Sequence, residues 1–267
     1  MRRQDQIFRM INKFRICGFI TILLLSVTVY AEPDSMKLHQ ASGSNNISEI
    51  RKLLDSGVDI NSEINSGVTP LMTAAVNGAT KSIYYLVDHG AKINSQTGSG
   101  WTALLYAVEN GELESSKILI ASGANVNSTL TGGESALVQA CFRKHEDIAY
   151  ELVSKGIDIN LKSKVGLTGL IVCADAGYTE VVKKILLEKP NIDSTTIHGE
   201  TALIRAAIRG NAAVVKILIE YGATINIKDL TGRDALSWAI ENKNLDIELL
   251  LKNPNESLPR RSDLPPL

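Results

Sequence analysis

Residues 69–78 read Thr69-Pro-Leu-Met-Thr-Ala-Ala-Val-Asn-Gly78, and variants of this phrase return at a fixed interval along the chain. One variant begins 33 residues later, Thr102-Ala-Leu-Leu-Tyr-Ala-Val-Glu-Asn-Gly111, and another is Thr201-Ala-Leu-Ile-Arg-Ala-Ala-Ile-Arg-Gly210. Weaker copies begin in the same register at Met36, Ser135, Thr168 and Asp234. A fixed period of this length predicts a stack of repeated units, seven of them between about residues 35 and 253.

A second phrase keeps the same register and ends in asparagine. Its copies are Asp55-Ser-Gly-Val-Asp-Ile-Asn61, Asp88-His-Gly-Ala-Lys-Ile-Asn94, Ala121-Ser-Gly-Ala-Asn-Val-Asn127, Ser154-Lys-Gly-Ile-Asp-Ile-Asn160 and Glu220-Tyr-Gly-Ala-Thr-Ile-Asn226. With both phrases in register, about four fifths of the chain resembles the ankyrin repeat family. The resemblance implies an all-α solenoid of about seven 33-residue helix-turn-helix units with hairpin-like loops.

Each unit is predicted to contain two short helices. Thr69 suits the N-cap of a first helix because its side chain accepts a backbone hydrogen bond, and Pro70 suits the first turn because it needs no donor. Glycines are expected to end the second helices with a positive φ; they are Gly57, Gly90, Gly123, Gly156 and Gly222. No unit of this size encloses its own apolar face, so neighbouring units must stabilise it, and the first and last units are expected to act as more polar caps.

The fifth unit departs from the pattern at both of its helices. Lys189 and Pro190 replace the usual glycine and small residue, so we expect the second helix to end one residue early. Gly169 stands at the start of the first helix, where glycine weakens helix formation. Ordinary drift in a tolerant repeat is preferred here over a functional hinge.

The first 31 residues differ from the repeats. A basic start is followed by an apolar run over residues 16–30 and by the small cleavage-site residues of Val29-Tyr-Ala31. This order predicts a secretory signal peptide over residues 1–31, with a short linker at 32–34. An uncleaved anchor in the inner membrane, formed by residues 16–31, is the alternative, because the apolar run is near the lower limit for crossing a bilayer. Both interpretations place the repeats outside the cytoplasm, periplasmic or secreted, as in bacterial exported ankyrin repeat proteins.

The charge balance argues against a nucleic-acid partner. The chain holds 28 Lys and Arg against 29 Asp and Glu, a formal net charge of −1. Residues 1–31 include five of the basic residues and one acidic residue, which leaves 23 basic and 28 acidic residues, or −5, in residues 32–267. Residues 254–267 are rich in proline without helical periodicity and are predicted to form a disordered tail. A monomer without membrane contact is expected once the signal peptide is cleaved.

The cysteines are predicted to be free. Cys17 lies in the predicted signal peptide, while Cys141 and Cys173 occupy small, buried positions of first helices in adjacent units. Packed helices lie about 8–10 Å apart, whereas the Cα atoms of a disulfide lie within about 7 Å of each other. We therefore expect two buried free thiols that act as small apolar residues.

Catalytic signatures are poor. The chain has no phosphate-binding glycine loop, no Cys-x-x-Cys pair and no histidine and carboxylate spacing typical of zinc sites, so no catalytic residue, metal or cofactor is predicted. Cys141 and His145 are four residues apart, as a nucleophile and its base on one helix would be. The repeat register instead assigns them to a buried small position and to the turn before a second helix. A thiol-based redox or enzymatic factor is kept as the rival hypothesis. His39 matches a family histidine that hydrogen-bonds neighbouring loops.

The resemblance implies a concave face, built from hairpin tips and the exposed ends of first helices, that binds other proteins. Aromatic residues and arginines dominate binding energy at such interfaces. The candidate partner-binding residues at matching positions are Trp101, Phe142, Arg143, Arg205, Arg209, Arg233, Tyr106 and Trp238. Trp101 packing along its own hairpin and Phe142 folding between units are the alternatives. The sequence thus predicts a non-enzymatic protein-binding module outside the cytoplasm, with a membrane-tethered scaffold as the alternative.

Overall fold

The computed structural model describes residues 33–254; the predicted signal peptide and residues 255–267 lie outside this range. Fourteen helices of seven to ten residues follow one another there, and none of them has the length and apolar content needed to cross a membrane. In chain order they are α1 (Asp34–Gly43), α2 (Ile47–Asp55), α3 (Pro70–Val76), α4 (Thr80–Asp88), α5 (Ala103–Glu109), α6 (Leu113–Ala121), α7 (Ala136–Phe142), α8 (Glu146–Ser154), α9 (Gly169–Ala176), α10 (Thr179–Leu187), α11 (Ala202–Arg209), α12 (Ala212–Glu220), α13 (Ala235–Glu241) and α14 (Leu245–Lys252). Consecutive helices pair into seven units, which confirms the predicted solenoid.

The repeated threonine caps each first helix. Thr69 Oγ1 accepts the backbone N–H of Met72 at 3.3 Å, and Pro70 is the first residue of α3, as predicted. The same bond is made by Thr102, Ser135, Thr168, Thr201 and Asp234. Each cap satisfies an amide that the helix leaves unpaired and contributes about 1 kcal/mol. Short helices of seven or eight residues need this local help.

The asparagine that ends the second phrase links each unit to the next. Asn61 Oδ1 accepts the backbone N–H of Lys92 at 2.8 Å, and equivalent bonds recur at 31-residue separation from Asn94, Asn127 and Asn160, with Asp193 in the same role. Each bond joins the loop that follows one second helix to the loop that follows the next. The phrase therefore repeats because its last side chain is a connection between units.

The hairpin tips are also connected in series. Each tip donates one backbone N–H to a carbonyl of the preceding tip, as Thr131 does to Ser99 at 3.1 Å. Gly100 lies in this crowded region with φ +85°, and a β-carbon on it would lie 2.8 Å from the carbonyl oxygen of Thr129. Only glycine combines this φ with so close an approach of two backbones. Among the described residues the tips contain isolated antiparallel bridges, such as Ile64 with Val68, instead of strands.

The core lies between neighbouring units. One leucine position shows its layout: Leu38, Leu71, Leu104, Leu137, Leu170 and Leu203 are all at most 2% exposed. The equivalent Leu236 of the last unit is only partly buried, and Ile240 is 50% exposed where Ala207 of the preceding unit is fully buried. Burial of a unit therefore depends on the unit that follows it, as expected of a solenoid.

The prediction of two free thiols was wrong. Cys141 of α7 and Cys173 of α9 form a disulfide with a Cα–Cα distance of 5.1 Å. Helix axes about 9–10 Å apart do not imply that separation between Cα atoms, because each Cα lies about 2.3 Å from its own axis. Two small residues on the facing sides of packed helices therefore come to within about 5 Å, well inside the range of a disulfide.

The prediction of a shortened second helix in the fifth unit was also wrong. The helix α10 ends at Leu187, in the same register as α8 and α12. Lys189 takes the glycine position with φ +53°, a left-handed conformation that Lys144 and Lys243 also adopt in this chain. A lysine at the glycine position therefore preserves the turn, and the proline that follows it removes one backbone donor without moving the helix end.

Candidate protein-binding face

The last residues of the first helices form one row of the candidate face. Phe142 ends α7 and is 65% exposed. At the same register, Glu109 ends α5 and Asp175 is the next-to-last residue of α9. An exposed aromatic side chain therefore stands in the row between two carboxylates from neighbouring units. We call this row, together with the hairpin tips, the first-helix face.

Glu109 and Arg143 form an ion pair between the third and fourth units. The side chain of Glu109 is only 5% exposed, and its carboxylate contacts the guanidinium of Arg143, whose side chain is 42% exposed. Arg143 also lies 5.8 Å from the ring centroid of Phe142. This arginine thus covers a buried carboxylate with one part of its guanidinium and flanks the exposed aromatic residue with another.

A second ion-pair cluster joins the fifth and sixth units. Asp175 Oδ1 accepts a hydrogen bond from Arg209 Nε at 2.9 Å and forms an ion pair with Arg205 Nη2 at 2.6 Å. Arg205 also pairs with Glu200 at 3.2 Å. The hydrogen bond with Asp175 and its negative charge raise the pKa of Arg209 above its ordinary value. The cluster keeps two arginines on the face and fixes their direction.

The last unit holds its aromatic residue within a polar network. Trp238 Nε1 donates to Asp229 Oδ2 at 2.8 Å, and the guanidinium of Arg233 lies 3.6 Å from the Trp238 ring centroid. Burial alone would raise the pKa of Asp229, but hydrogen bonds from Thr231, from Trp238 and from backbone amides lower it to about 2. Asp229 is therefore a structural anion that organises the seventh unit.

Trp101 packs on its own unit. Its ring stacks on Tyr106 with centroids 4.9 Å apart and planes 21° from parallel. Its carbonyl accepts the backbone N–H of Thr97 within the hairpin. Burial raises the pKa of the Tyr106 hydroxyl. The ring of Trp101 therefore packs on the first helix of its own unit and is partly buried.

The repeat architecture also appears in comparisons with known proteins. The family model for ankyrin repeats (3 copies) matches residues 38–130, 95–163 and 170–261. This chain belongs to the ankyrin repeat family. The crystal structure of the human ASB11 ankyrin repeat domain is similar to it, with a TM-score of 0.68 and 25% identity over 83% of this chain and 98% of that chain. No curated protein matches the chain significantly.

Ankyrin repeats are generally protein–protein interaction modules and are typically non-enzymatic scaffolds. In this ankyrin domain, residues 33–254 bring no three His, Cys, Asp or Glu side chains together as a metal site would require. Cys141 is bonded to Cys173, and the ring of His145 contacts Gly111 and the Glu109 carbonyl of the preceding unit. The spacing of Cys141 and His145 therefore reflects two structural positions.

His39 occupies the structural position that the ankyrin resemblance implied. Its Nε2 donates to the carbonyl of Ser62 at 3.0 Å, and its Nδ1 accepts from the Thr73 hydroxyl at 2.8 Å. Burial lowers the pKa of His39, although the bond to Ser62 opposes that effect. The neutral ring thus links α1 of the first unit to the loop at Ser62 and to α3 of the second unit.

Sequence reasoning found the arginines of the face but missed the ion pairs that hold them. Glu109 precedes Arg143 by 34 residues, and Asp175 precedes Arg209 by the same interval. One repeat plus one residue brings the end of one first helix beside the end of the next. A search for opposite charges at this separation would have identified both pairs.

Proposed function

We propose that this ankyrin domain is a non-enzymatic module that binds a partner protein outside the cytoplasm, through the concave face formed by its first helices and hairpin tips. The observation that carries the proposal is the exposed ring of Phe142 between two fixed ion pairs. Large aromatic side chains supply much of the binding energy at protein interfaces, and they act best when neighbouring groups hold the surface rigid.

The arginines support this function as part of a preorganised surface. Arg143, Arg205 and Arg209 are each paired with a carboxylate from the preceding unit, yet each retains exposed surface. A guanidinium bound to one carboxylate still has N–H groups that point elsewhere. A partner would gain hydrogen bonds to these groups without the loss of side-chain entropy that free arginines incur.

The disulfide supports the proposed location. Structural disulfides form and persist in oxidising compartments, such as the periplasm and the extracellular space, and are rare in the cytosol. Both bonded cysteines are buried, at 1% and 0% exposure, so the bond is protected from solution thiols. This agrees with the export expected from residues 1–31, which lie outside the described residues.

The surface is tested by affinity capture from the extracytoplasmic fraction of the native host. Phe142→Ala removes the exposed ring, and Tyr84→Ala is a matched control because Tyr84 is 59% exposed on a second helix. We expect wild type and Tyr84→Ala to capture the same protein, and Phe142→Ala to capture at least about tenfold less. Equal capture by all three proteins would show that the assigned face is wrong.

The location is tested by mass spectrometry of the chain recovered from its host. A mature chain that begins at Glu32 in the soluble extracytoplasmic fraction is the expected result. An intact N-terminus in the membrane fraction would favour the tethered scaffold. Recovery of the chain from the cytosol, with Cys141 and Cys173 reduced, would contradict export.

A further inference from the structure

Exposed aliphatic side chains stand on three consecutive hairpin tips of the C-terminal units. Val165, Ile197 and Leu230 are 42%, 55% and 77% exposed. The N–H of Ile197 donates to the Val165 carbonyl at 3.0 Å, and the N–H of Leu230 donates to the His198 carbonyl at 2.9 Å. These bonds hold the three side chains on neighbouring tips. We call the three residues, with Lys162, Lys164 and Lys228, the tip ridge.

The hairpin does not require these residue types. In the three preceding hairpins, the positions of Lys164, Ile197 and Leu230 are taken by Asn65, Gly98 and Thr131. The position of Val165 is taken there by Ser66, Ser99 and Gly132. All of these are small or uncharged polar residues, although the same backbone hydrogen bonds connect their tips. The fold therefore needs the backbone geometry alone and does not require the apolar and basic side chains.

The ridge is basic as well as apolar. Lys162, Lys164 and Lys228 are exposed, and within residues 33–254 neither Lys162 nor Lys164 forms an ion pair. Lys228 acts on Asp234, the cap of α13: burial alone would raise the pKa of Asp234, but hydrogen bonds from Ser237 and, more weakly, the charge of Lys228 lower it.

Three nearby carboxylates are occupied by other partners. Glu200 pairs with Arg205, and Asp193 accepts hydrogen bonds from Thr224. Asp229 is buried and bonded to Thr231 and Trp238. These three carboxylates therefore do not neutralise the ridge lysines, which stand on a domain whose residues 32–267 carry a formal charge of −5.

We propose that the tip ridge binds a protein segment in which large apolar side chains are flanked by aspartate or glutamate. Aliphatic contacts would supply burial, and the lysines would attract and orient the acidic residues. Isolated exposed aliphatic residues are ordinary on soluble proteins. The three aliphatic residues of the ridge differ because they lie on consecutive, hydrogen-bonded tips with lysines beside them. This combination suits a partner segment that is both apolar and acidic. This proposal rests on the proposed function, since the ridge is the tip edge of the first-helix face.

An anionic membrane is the less suitable occupant. Surfaces that insert into the interface use Trp and Phe as well as Leu, and electrostatic attachment uses clusters of four to eight basic residues. The ridge has only aliphatic anchors and three lysines, on a chain segment whose overall charge repels anionic lipid. A lipid contact is therefore an outcome to be detected by the test.

The test is site-specific photocrosslinking of the full chain in its native host. Benzoylphenylalanine replaces Ile197, or Gly98 at the same register in an N-terminal hairpin, or Phe142 on the first-helix face. Gly98 is a suitable control because a side chain there meets open space. Mass spectrometry of the crosslinked peptide identifies the composition of the segment that contacts each position.

We expect position 197 to crosslink to a segment rich in apolar and acidic residues, and position 98 to give no such product. Adding Lys162→Glu with Lys164→Glu should lower the yield at position 197 about tenfold, while Lys162→Arg with Lys164→Arg should preserve it.

The ridge proposal is overturned by a lipid product, by a segment without acidic residues, or by a yield that charge reversal does not change. Crosslinks from position 142 without any from position 197 would also overturn it and leave the proposed function intact. No crosslink from either position would reject both.

Discussion

The side chain of Leu137 in α7 fills the space that a β-carbon on Gly169 of α9 would occupy. That carbon would lie 2.3 Å from Leu137 Cδ2 and 2.7 Å from Cγ. Four residues further along each helix, Cys141 is bonded to Cys173. Two successive turns therefore bring α7 and α9 close together, first through the missing side chain of a glycine and then through a covalent bond.

Gly169→Ala should destabilise the domain, although alanine is the better helix former. A buried methyl group beside Leu137, which is 1% exposed, overpacks the contact and costs about 1–3 kcal/mol, more than the gain of up to about 1 kcal/mol in helix propensity. Urea unfolding measures the difference. Gly98→Ala is the control, with no expected loss, since it has open space around it. Increased stability of Gly169→Ala would mean that α7 and α9 are less tightly packed.

Reduction of the disulfide should destabilise the domain by about 3–4 kcal/mol, because Cys141 and Cys173 close a loop with a sequence separation of 32 residues. Urea unfolding with and without a strong reductant gives this difference. The double variant Cys141→Ala/Cys173→Ala should be indifferent to reductant. Rapid alkylation of both thiols in the folded, non-reduced protein would show instead that the bond is absent.

Lys189→Gly should stabilise the domain by about 0.5–1 kcal/mol. The lysine holds φ at +53°, a conformation that costs a residue with a β-carbon about 1–2 kcal/mol. Glycine removes this cost, and that gain exceeds the additional conformational entropy that a glycine loses on folding. Lys155→Gly, at the end of α8 where φ is −98°, should instead be neutral or destabilising. Thermal and urea unfolding of both variants check the sign of each effect.

The period of the sequence predicted the units, the caps and the turn glycines because each of these depends on contacts repeated in every copy. The wrong predictions concern features that occur in only one unit or in one pair of units. Nothing in the phrase that contains Lys189 shows that a lysine tolerates a positive φ there. Likewise, the distance between Cys141 and Cys173 depends on which sides of two helices face each other. The apolar tips, such as Leu230, were not predicted because aromatic residues and arginines, not aliphatic residues, are the types that dominate binding energy at interfaces.

The contribution of Asp229 to stability should depend on pH. Its folded pKa of about 2 lies below the ordinary value of 3.8, so the folded state binds a proton less readily than the unfolded state does. Its stabilisation is therefore fully present above about pH 4 and is lost as the pH falls towards 2, and it amounts to at most about 2 kcal/mol. Unfolding free energies of wild type and Asp229→Asn should differ at pH 6 and converge near pH 2. If the difference in unfolding free energy stayed constant between pH 6 and pH 2, the partners of Asp229 would not stabilise its negative charge.

Phe142→Ala and Trp101→Ala should separate binding from folding. Phe142 is 65% exposed, so its removal should change the free energy of unfolding by about 0.5 kcal/mol or less while binding is lost. Trp101 is half-buried and stacked on Tyr106, so Trp101→Ala should cost about 1–3 kcal/mol of stability whatever its role in binding.

Trp101→Phe keeps an aromatic ring on Tyr106 and is the fairer test of contact with a partner. If Trp101→Phe binds normally while Phe142→Ala does not, the partner contacts the row of first-helix ends rather than the hairpin of the third unit. If Phe142→Ala unfolds as readily as Trp101→Ala, the ring of Phe142 supports the fold and loss of binding by that variant says nothing about the surface.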